Sequence, residues 1–340
     1  MTICHKPLTA WRTTDGNMTF SPKEAFGQEY KIPCGQCMGC RLEKSRQWAI
    51  RSVHESQTHE QNCFITLTYA EMPEGHSLNK KTLQLFWKKL RKALYPKKIR
   101  YFACGEYGDT FDRPHYHAII FGHDFGISNE ELTPRLGKMS EFFPQKKHVT
   151  NSDLTLINKS DYGYLWTSNL LNKIWGHGFT SIAECNFETC AYVARYVTKK
   201  ITGTPAKEHY LHTDQETGEV YDRQPEFASM SRNPGIGAKW LEQFYEDPYN
   251  NGYCVHEKRK LKIPPYYDKW LEKNHPELFE KIKMLREEFI HEDLTYNDFY
   301  QKMSVEKAKF NSVNENKNNS YPDMDNKVLD FYKHLRRMEK

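Results

Sequence analysis

Apolar positions recur along the chain with two periods. In "NCFITLTYA" (62–70), Phe64, Thr66 and Thr68 alternate with Ile65, Leu67 and Tyr69, which predicts a strand. After Asn79, a helix-capping residue, Leu83, Phe86, Trp87, Leu90 and Leu94 repeat at helical spacing and stop before Pro96. "IRYFACGEYG" (99–108) reads as a second strand ending in a Gly-rich turn, and "HAIIFG" (117–122) as a short, largely buried third. "GFTSIAE" (178–184) is a fourth strand, and Asn186 can cap the helix "FETCAYVARYVTKKI" (187–201), halted by Gly203 and Pro205. Upstream, "RLEKSRQWAIRSVHESQTHE" (41–60) predicts a helix with Leu42, Ala49 and Val53 near one stripe and basic residues elsewhere. This order predicts an α+β fold, a central antiparallel sheet flanked by helices.

The rest divides by composition. Residues 1–60 form a Cys-rich N-terminal segment with its basic helix, and 61–205 the core, interrupted at about 123–177 by a polar stretch that reads as an insertion. Residues 206–265 are loop-rich, and 266–340 read as a helical extension with a flexible polar linker at about 311–326. No internal repeat is evident.

Composition narrows the function classes. The 340 residues are 38% hydrophobic and 27% charged, as expected of a soluble protein, and no stretch approaches the ~20 apolar residues of a membrane span. "MTICHKPLTAW" lacks the layout of a secretory signal, so a cytoplasmic, reducing environment is expected, with nine cysteines unlikely to form disulfides. Net charge is +5, but residues 1–100 hold 17 Lys/Arg against 8 Asp/Glu. "KKTLQLFWKKLRKALYPKKIR" (80–100) interleaves cations with aromatics, a pattern that suits nucleic acid and equally a solvated helix face. Lys88, Lys89, Arg91 and Lys92 are candidate DNA contacts, joined by Arg195, Lys200 and Arg232.

Three constellations carry possible chemistry. In "RPHYHAII" (113–120), His115 and His117 share one face of a strand, either as two half-exposed edge histidines or as metal ligands. Glu106, at the end of the neighbouring strand, is the preferred third ligand, with Asp109 and Asp112 as rivals. Such a set suits Mg²⁺ or Mn²⁺ and could accept Zn²⁺. Tyr192 and Tyr196, four apart, project from one helix face with Lys199 and Lys200 on the next turn. They read as core packing or, beside a metal and cations, as nucleophiles for a phosphodiester. "CGQCMGC" places Cys34, Cys37 and Cys40 at C-x₂-C-x₂-C; with Cys4, or His5 instead, they would hold a structural zinc. Free thiols and an iron–sulfur centre are the alternatives. "MSRNPGIG" (230–237), with Arg232, Gly235 and Gly237, is a phosphate-binding backbone nest or a tight turn.

Taken together, "FITLTY", the His-x-His strand and the tyrosine helix resemble the three motifs of HUH endonucleases, the rolling-circle replication initiators. "IPCGQCMGCRLEKSRQWAIRSVHE", "RPHYHAIIFG" and "MSRNPGIG" resemble the gokushovirus-type replication initiation proteins of microviruses, densely over residues 1–240 and thinly afterwards. The resemblance implies an HUH nuclease core in 61–205 and a site-specific DNA endonuclease and strand transferase. Tyr192 and Tyr196 would be its nucleophiles, with Lys199 as the accompanying cation. One tyrosine would nick the origin and hold the 5′ end as a phosphotyrosine, leaving a 3′-OH primer, and the other would later close the circle. It further implies single-stranded origin DNA, host helicase and host polymerase as partners, in the host cytoplasm. A transposase or relaxase of the same chemistry, or a non-catalytic, zinc-stabilised nucleic-acid-binding protein, are the competing readings.

Overall fold

The computed structural model describes residues 4–108, 112–128, 153–160, 163–196, 200, 205–214 and 218–291. The chain falls into two compact units, residues 1–271 and 272–340. The first begins with a small antiparallel sheet of β1 (Leu8–Arg12), β2 (Met18–Thr19) and β3 (Phe26–Ile32). It continues through α1 (Met38–Ser56), β4 (Asn62–Tyr69), α2 (Lys80–Ala93), β5 (Arg100–Tyr107) and β6 (Pro114–Phe121). After β7 (Leu154–Ser160), β8 (Gly163–Ser168) and α3 (Asn169–Trp175) come β9 (Gly178–Glu184) and α4 (Phe187–Tyr196). Then follow α5 (Pro205–Tyr210), a ribbon of β10 (Leu211–Thr213) and β11 (Val220–Asp222), and β12 (Phe227–Met230). The unit closes with α6 (Ala238–Phe244), α7 (Glu246–Asn251), a ribbon of β13 (Cys254–His256) and β14 (Arg259–Leu261), and most of α8 (Pro265–Asn274). Of the second unit, the described residues are the end of α8 and α9 (Pro276–His291).

Seven strands form the central sheet, in the order β12-β5-β6-β4-β9-β8-β7, with antiparallel pairing throughout. The α+β expectation holds. Alternation along the strands separates two apolar layers. On one face Ile65, Leu67, Tyr116, Ala118 and Ile120 pack with Leu83, Phe86, Trp87 and Leu90 of α2 and Leu171, Ile174 and Trp175 of α3. On the other, Phe64, Phe102, Cys104, Ile119 and Phe121 pack with Ala49 and Val53 of α1 and Cys190, Val193 and Ala194 of α4. Period-2 alternation on strands and period-3.6 repeats on helices are what place these residues on opposed faces.

The caps read from the sequence are in place. The Asn79 side chain accepts the backbone N–H groups of Lys81 and Thr82, and that of Asn186 accepts from Thr189. Two regions depart from expectation. The supposed insertion contributes β7, β8 and α3, and its strands extend the central sheet. The loop-rich stretch contributes β12, which pairs with β5 as the other edge. Both edges are short or polar, as edge strands commonly are, which weakens their apolar pattern.

On α1 the prediction that basic residues face outward fails at Arg51, and Leu42 is exposed. The Arg51 guanidinium lies between the rings of Trp48 (4.0 Å) and Tyr266 (3.9 Å) and donates to the Ile236 carbonyl. Beside it the buried Glu55 carboxylate accepts from Arg100 and from the Gly237 backbone N–H (2.7 Å). Charges bury here because each finds an opposite charge, a ring face or a backbone partner.

Candidate functional site

Adjacent antiparallel strands bring the histidine motif to one face of the sheet. In β5–β6 register Glu106 stands opposite His115 and Cys104 opposite His117; across β4, Thr66 stands opposite His117 and Thr68 opposite His115. Glu106 and His117 are both buried, at 3% and 6% exposure. The His117 Nε2 lies 2.8 Å from a Glu106 carboxylate oxygen, and its Nδ1 lies 3.0 Å from the Thr66 hydroxyl. Nε2–H thus donates to the carboxylate while Nδ1 accepts from Thr66. At His115 the Nδ1 must donate, because its partner at 2.7 Å is the Arg113 carbonyl. That leaves the Nε2 lone pair of His115 as a ligand atom. Burial, the largest influence on this ring, lowers its pKa below the ordinary imidazole range and favours that neutral form.

The tyrosine helix covers this group. The Tyr192 ring meets His117 edge-on at 5.0 Å between centroids, and the Tyr196 ring stacks over it at 5.5 Å and 17°. The two rings touch each other at 4.8 Å, and Phe64 completes the wall against His117 and Tyr192. Tyr196 is buried and Tyr192 half-buried. Helical spacing therefore does set both tyrosines on one face, and that face is the one over His117.

The histidine motif was then tested as a metal site. Two ligands at right angles, each ~2.1 Å from a metal, stand ~3 Å apart, so the His117–Glu106 separation fits a shared ion in place of the proton. His115 sits in a ring parallel to His117 at 6.2 Å between centroids. Among the described residues, His115, His117 and Glu106 do not all bring ligand atoms within 4.8 Å of one another. The predicted triad is thus a pair with His115 alongside. Of the rival ligands, Asp112 pairs with Arg223, and Asp109 lies outside the described residues, as does Lys199.

The cysteine motif does converge. Cys4, Cys34, Cys37 and Cys40 bring their sulfurs within 4.8 Å of one another, with Cys4 and Cys37 3.8 Å apart. A tetrahedron of Zn–S bonds of ~2.3 Å separates sulfurs by ~3.8 Å, so these four residues could hold a zinc ion; several irons would spread them wider. The fourth ligand atom belongs to Cys4. His5 instead donates its backbone N–H to the Cys37 sulfur, as Cys34 does to Cys4 and Cys37 to Cys34. Hydrogen bonds from the Cys40 and His5 backbone lower the Cys37 thiol to about 6, and those of Gln36 and Cys37 lower Cys34, as anionic sulfur ligands need. Cys37 caps α1, so a metal here would tie the chain start to the helix that packs on α4.

The predicted DNA contacts divide between the faces. Arg195 is exposed on the tyrosine helix, Lys200 is exposed just beyond it, and Arg232 is exposed in the loop after β12. Lys88, Lys89, Arg91 and Lys92 are exposed on α2, across the sheet from His117. The "NPGIG" turn offers less to a phosphate than a nest would, because its Gly237 N–H is given to Glu55 and Gly235 abuts the Tyr266 ring. Thr66, the residue that orients His117, had no place in the sequence-based site. Its one signal was period-2 alternation, which puts it on the same face as Phe64 and Thr68.

Comparison with known proteins agrees with this geometry. Residues 62–201, from β4 past the tyrosine helix, match the model of the replication-associated protein family of ORF2 type. The chain is 29% identical over 285 residues to Replication-associated protein VP4 of Bdellovibrio phage phiMH2K, covering 81% of this chain and 78% of the relative. It is 29% identical over 273 residues to Replication-associated protein ORF2 of Spiroplasma virus 4, covering 75% and 73%. With Replication-associated protein ORF4 of Chlamydia phage 1 it shares 31% over 175 residues, half of this chain and 39% of the relative. No solved structure gives a significant match. Among the described residues no helix is long and apolar enough to cross a membrane. The segment 62–201 thus carries the pattern of the ORF2-type replication-associated proteins, in a chain related over most of its length to the replication-associated proteins of microviruses.

Proposed function

We propose that the protein initiates rolling-circle replication of a viral genome by cutting one DNA strand with a tyrosine of α4. The observation that carries this reading is the packing of both Tyr192 and Tyr196 against His117, itself bonded to Glu106. The relatives' shared description as replication-associated proteins supports the biological setting.

His115, His117 and Glu106 would hold the divalent ion, Mg²⁺ or Mn²⁺, whose Lewis acidity makes the scissile phosphorus electrophilic. Thr66 and the Arg113 carbonyl fix the two imidazoles from behind, as outer partners of metal-bound histidines do. The phenol oxygen of Tyr196 attacks phosphorus; the P–O3′ bond breaks, and the phenol proton is given up as the 3′ oxygen takes one. The products are a 5′-phosphotyrosine and a 3′-OH that primes synthesis. Tyr192 stands on the same face for the second transfer, which releases the circle. Arg195, Lys200 and Arg232 supply cations for the strand, and Lys199 is the cation nearest in sequence to the attacking tyrosine. Single-stranded origin DNA is the substrate; a replicative helicase and polymerase of the host are its expected partners.

The test is a single-stranded origin oligonucleotide, ³²P-labelled 3′ of the scissile phosphate and incubated with the full chain and Mn²⁺. A labelled band that resists denaturing gel electrophoresis and vanishes with EDTA is expected. Cleavage without any covalent adduct would exclude tyrosine attack.

A further inference from the structure

The longest acid-free stretch of the core is also its most exposed cationic one. Between Glu74 and Glu106 the sequence holds no carboxylate, while nine lysines and arginines fall within 80–100. On α2, Lys81, Leu85, Lys88 and Lys92 are separated by four, three and four residues, so they lie within ~60° of one another around the axis. All four are exposed, and Lys89 and Arg91 flank the row. Burial of Leu83, Phe86, Trp87 and Leu90 against the sheet fixes which way the row points. Among the described residues Lys81, Lys88 and Lys92 have no carboxylate partner. The cations are therefore uncompensated, rigidly carried, and on the face of the sheet opposite His117 and the tyrosines.

We propose that this row binds the backbone of duplex DNA, so that the protein grips double-stranded DNA on one face of the sheet while it cuts a single strand on the other. The geometry favours a duplex in two ways. From Lys81 to Lys92 the row spans eleven residues, ~16 Å at 1.5 Å per residue, enough to reach both phosphate backbones across a major groove ~12 Å wide. The row is a convex helix face without aromatic side chains, whereas single strands are held in grooves by stacked rings. Tyr95, 84% exposed, stands past the helix end and outside the row. The contact is with phosphates, so it carries no sequence information and is salt-dependent. This surface rests on the proposed replication function for its purpose but not for its test.

The experiment compares the full chain with the variant Lys81→Gln/Lys88→Gln/Lys92→Gln. Affinities for a 20-base-pair duplex and for a ten-nucleotide single strand are measured between 50 and 200 mM salt. Three lost phosphate contacts should lower the slope of log K against log salt on the duplex by ~3, and duplex affinity at 50 mM salt by about tenfold or more. The slope on the single strand should stay at the wild-type value. The triple Lys→Arg variant keeps the charges and should keep the wild-type duplex slope, which guards against a merely structural loss. Unchanged duplex slope in the Gln variant overturns the proposal. So does a fall confined to the single strand, which would make the row part of the strand's path. Adduct formation by wild-type protein reads out the replication chemistry separately, so either claim can fail while the other stands.

Discussion

Tyrosines stand on both faces of the central sheet, and the two sets are held differently. On the α2 face, Tyr116 accepts from the Asn79 N–H (2.8 Å), donates to the Asn79 carbonyl and meets the Tyr69 hydroxyl (3.1 Å). Tyr107 accepts from the Leu78 N–H and donates to the Gln224 carbonyl. Burial raises the pKa of all three phenols, so they remain protonated and tie loops to strands. On the α4 face, Tyr192 and Tyr196 pack by their rings against an imidazole that is bonded to a carboxylate. One sheet thus uses the same side chain as a structural tie on one side and sets it beside titratable groups on the other. Residue type did not decide the role; the neighbours on each face did.

The comparison can be broken at the tyrosines themselves, where the largest effect is expected. The Tyr192→Phe/Tyr196→Phe variant should form no covalent adduct while melting near wild type, because ring packing is kept. Tyr116→Phe should do the reverse. It leaves buried backbone groups of Asn79 without their partner, costing about 1–3 kcal/mol by denaturant unfolding, yet the adduct still forms. Loss of the adduct in Tyr116→Phe at unchanged stability would erase the distinction between the faces.

A second large effect is expected at the histidines. His117→Ala or Glu106→Ala should lower metal-dependent nicking by at least about 100-fold, since outer and inner partners of a metal each matter at that scale or above. Single-strand affinity, resting on cations elsewhere, should move only a few-fold in a filter-binding assay. If Asp112→Ala removes metal dependence instead, Glu106 is not the carboxylate ligand.

The cysteine quartet affects the α4 face only through α1. Cys34→Ser/Cys37→Ser should release about one equivalent of zinc and lower Tm by about 5–10 °C. Elemental analysis of freshly purified protein with no zinc, or with iron, would contradict the assignment.

The smallest effect concerns pH. Burial holds the His54 imidazole down at about 3, where its Nδ1 meets the Tyr267 hydroxyl and its ring stacks on Trp240. The unfolded chain takes up that proton near pH 6.5, while the folded form stays neutral until about pH 3. Stability from this group is therefore full above pH 6.5 and declines as pH falls through the window between. Burial alone would raise Glu55, but His59, the Gly237 N–H and Arg100 outweigh it and lower its pKa, so its contribution also fades on acidification. His54→Gln, which keeps a hydrogen-bonding group toward Tyr267, should flatten the acid limb of a Tm-against-pH curve between about pH 6 and 4.

Much of this was legible from periodicity. The strands around "FITLTY" and "HAIIFG", the capped helices after Asn79 and Asn186, and the four cysteines all emerged because local pattern and tertiary role agree there. The edges were not legible. In β7 the sequence "LTLINKS" exposes Leu156 and Ile157, and β12 has four residues, so neither shows the alternation that identifies a half-buried strand. Arg51 and Glu55 misled for a different reason. A charge on a helix reads as solvent-facing unless its partner is known, and their partners lie some 180 residues downstream, in the turn at Ile236–Gly237. The site was legible as three separate motifs, but the stacking of Tyr196 over His117 depends on how α4 crosses the sheet, which no local pattern encodes.

The central claim is that a tyrosine of α4 forms the bond to DNA, and tryptic mapping of the wild-type adduct tests it most directly. Cleavage after Arg195 separates the two candidates, leaving Tyr192 in the peptide 174–195 and Tyr196 in the peptide 196–199. The account predicts that mass spectrometry finds the nucleotide remnant on 196–199 after the first cut. A remnant on 174–195 would exchange the order of the two tyrosines, and a remnant on any other peptide would contradict the account.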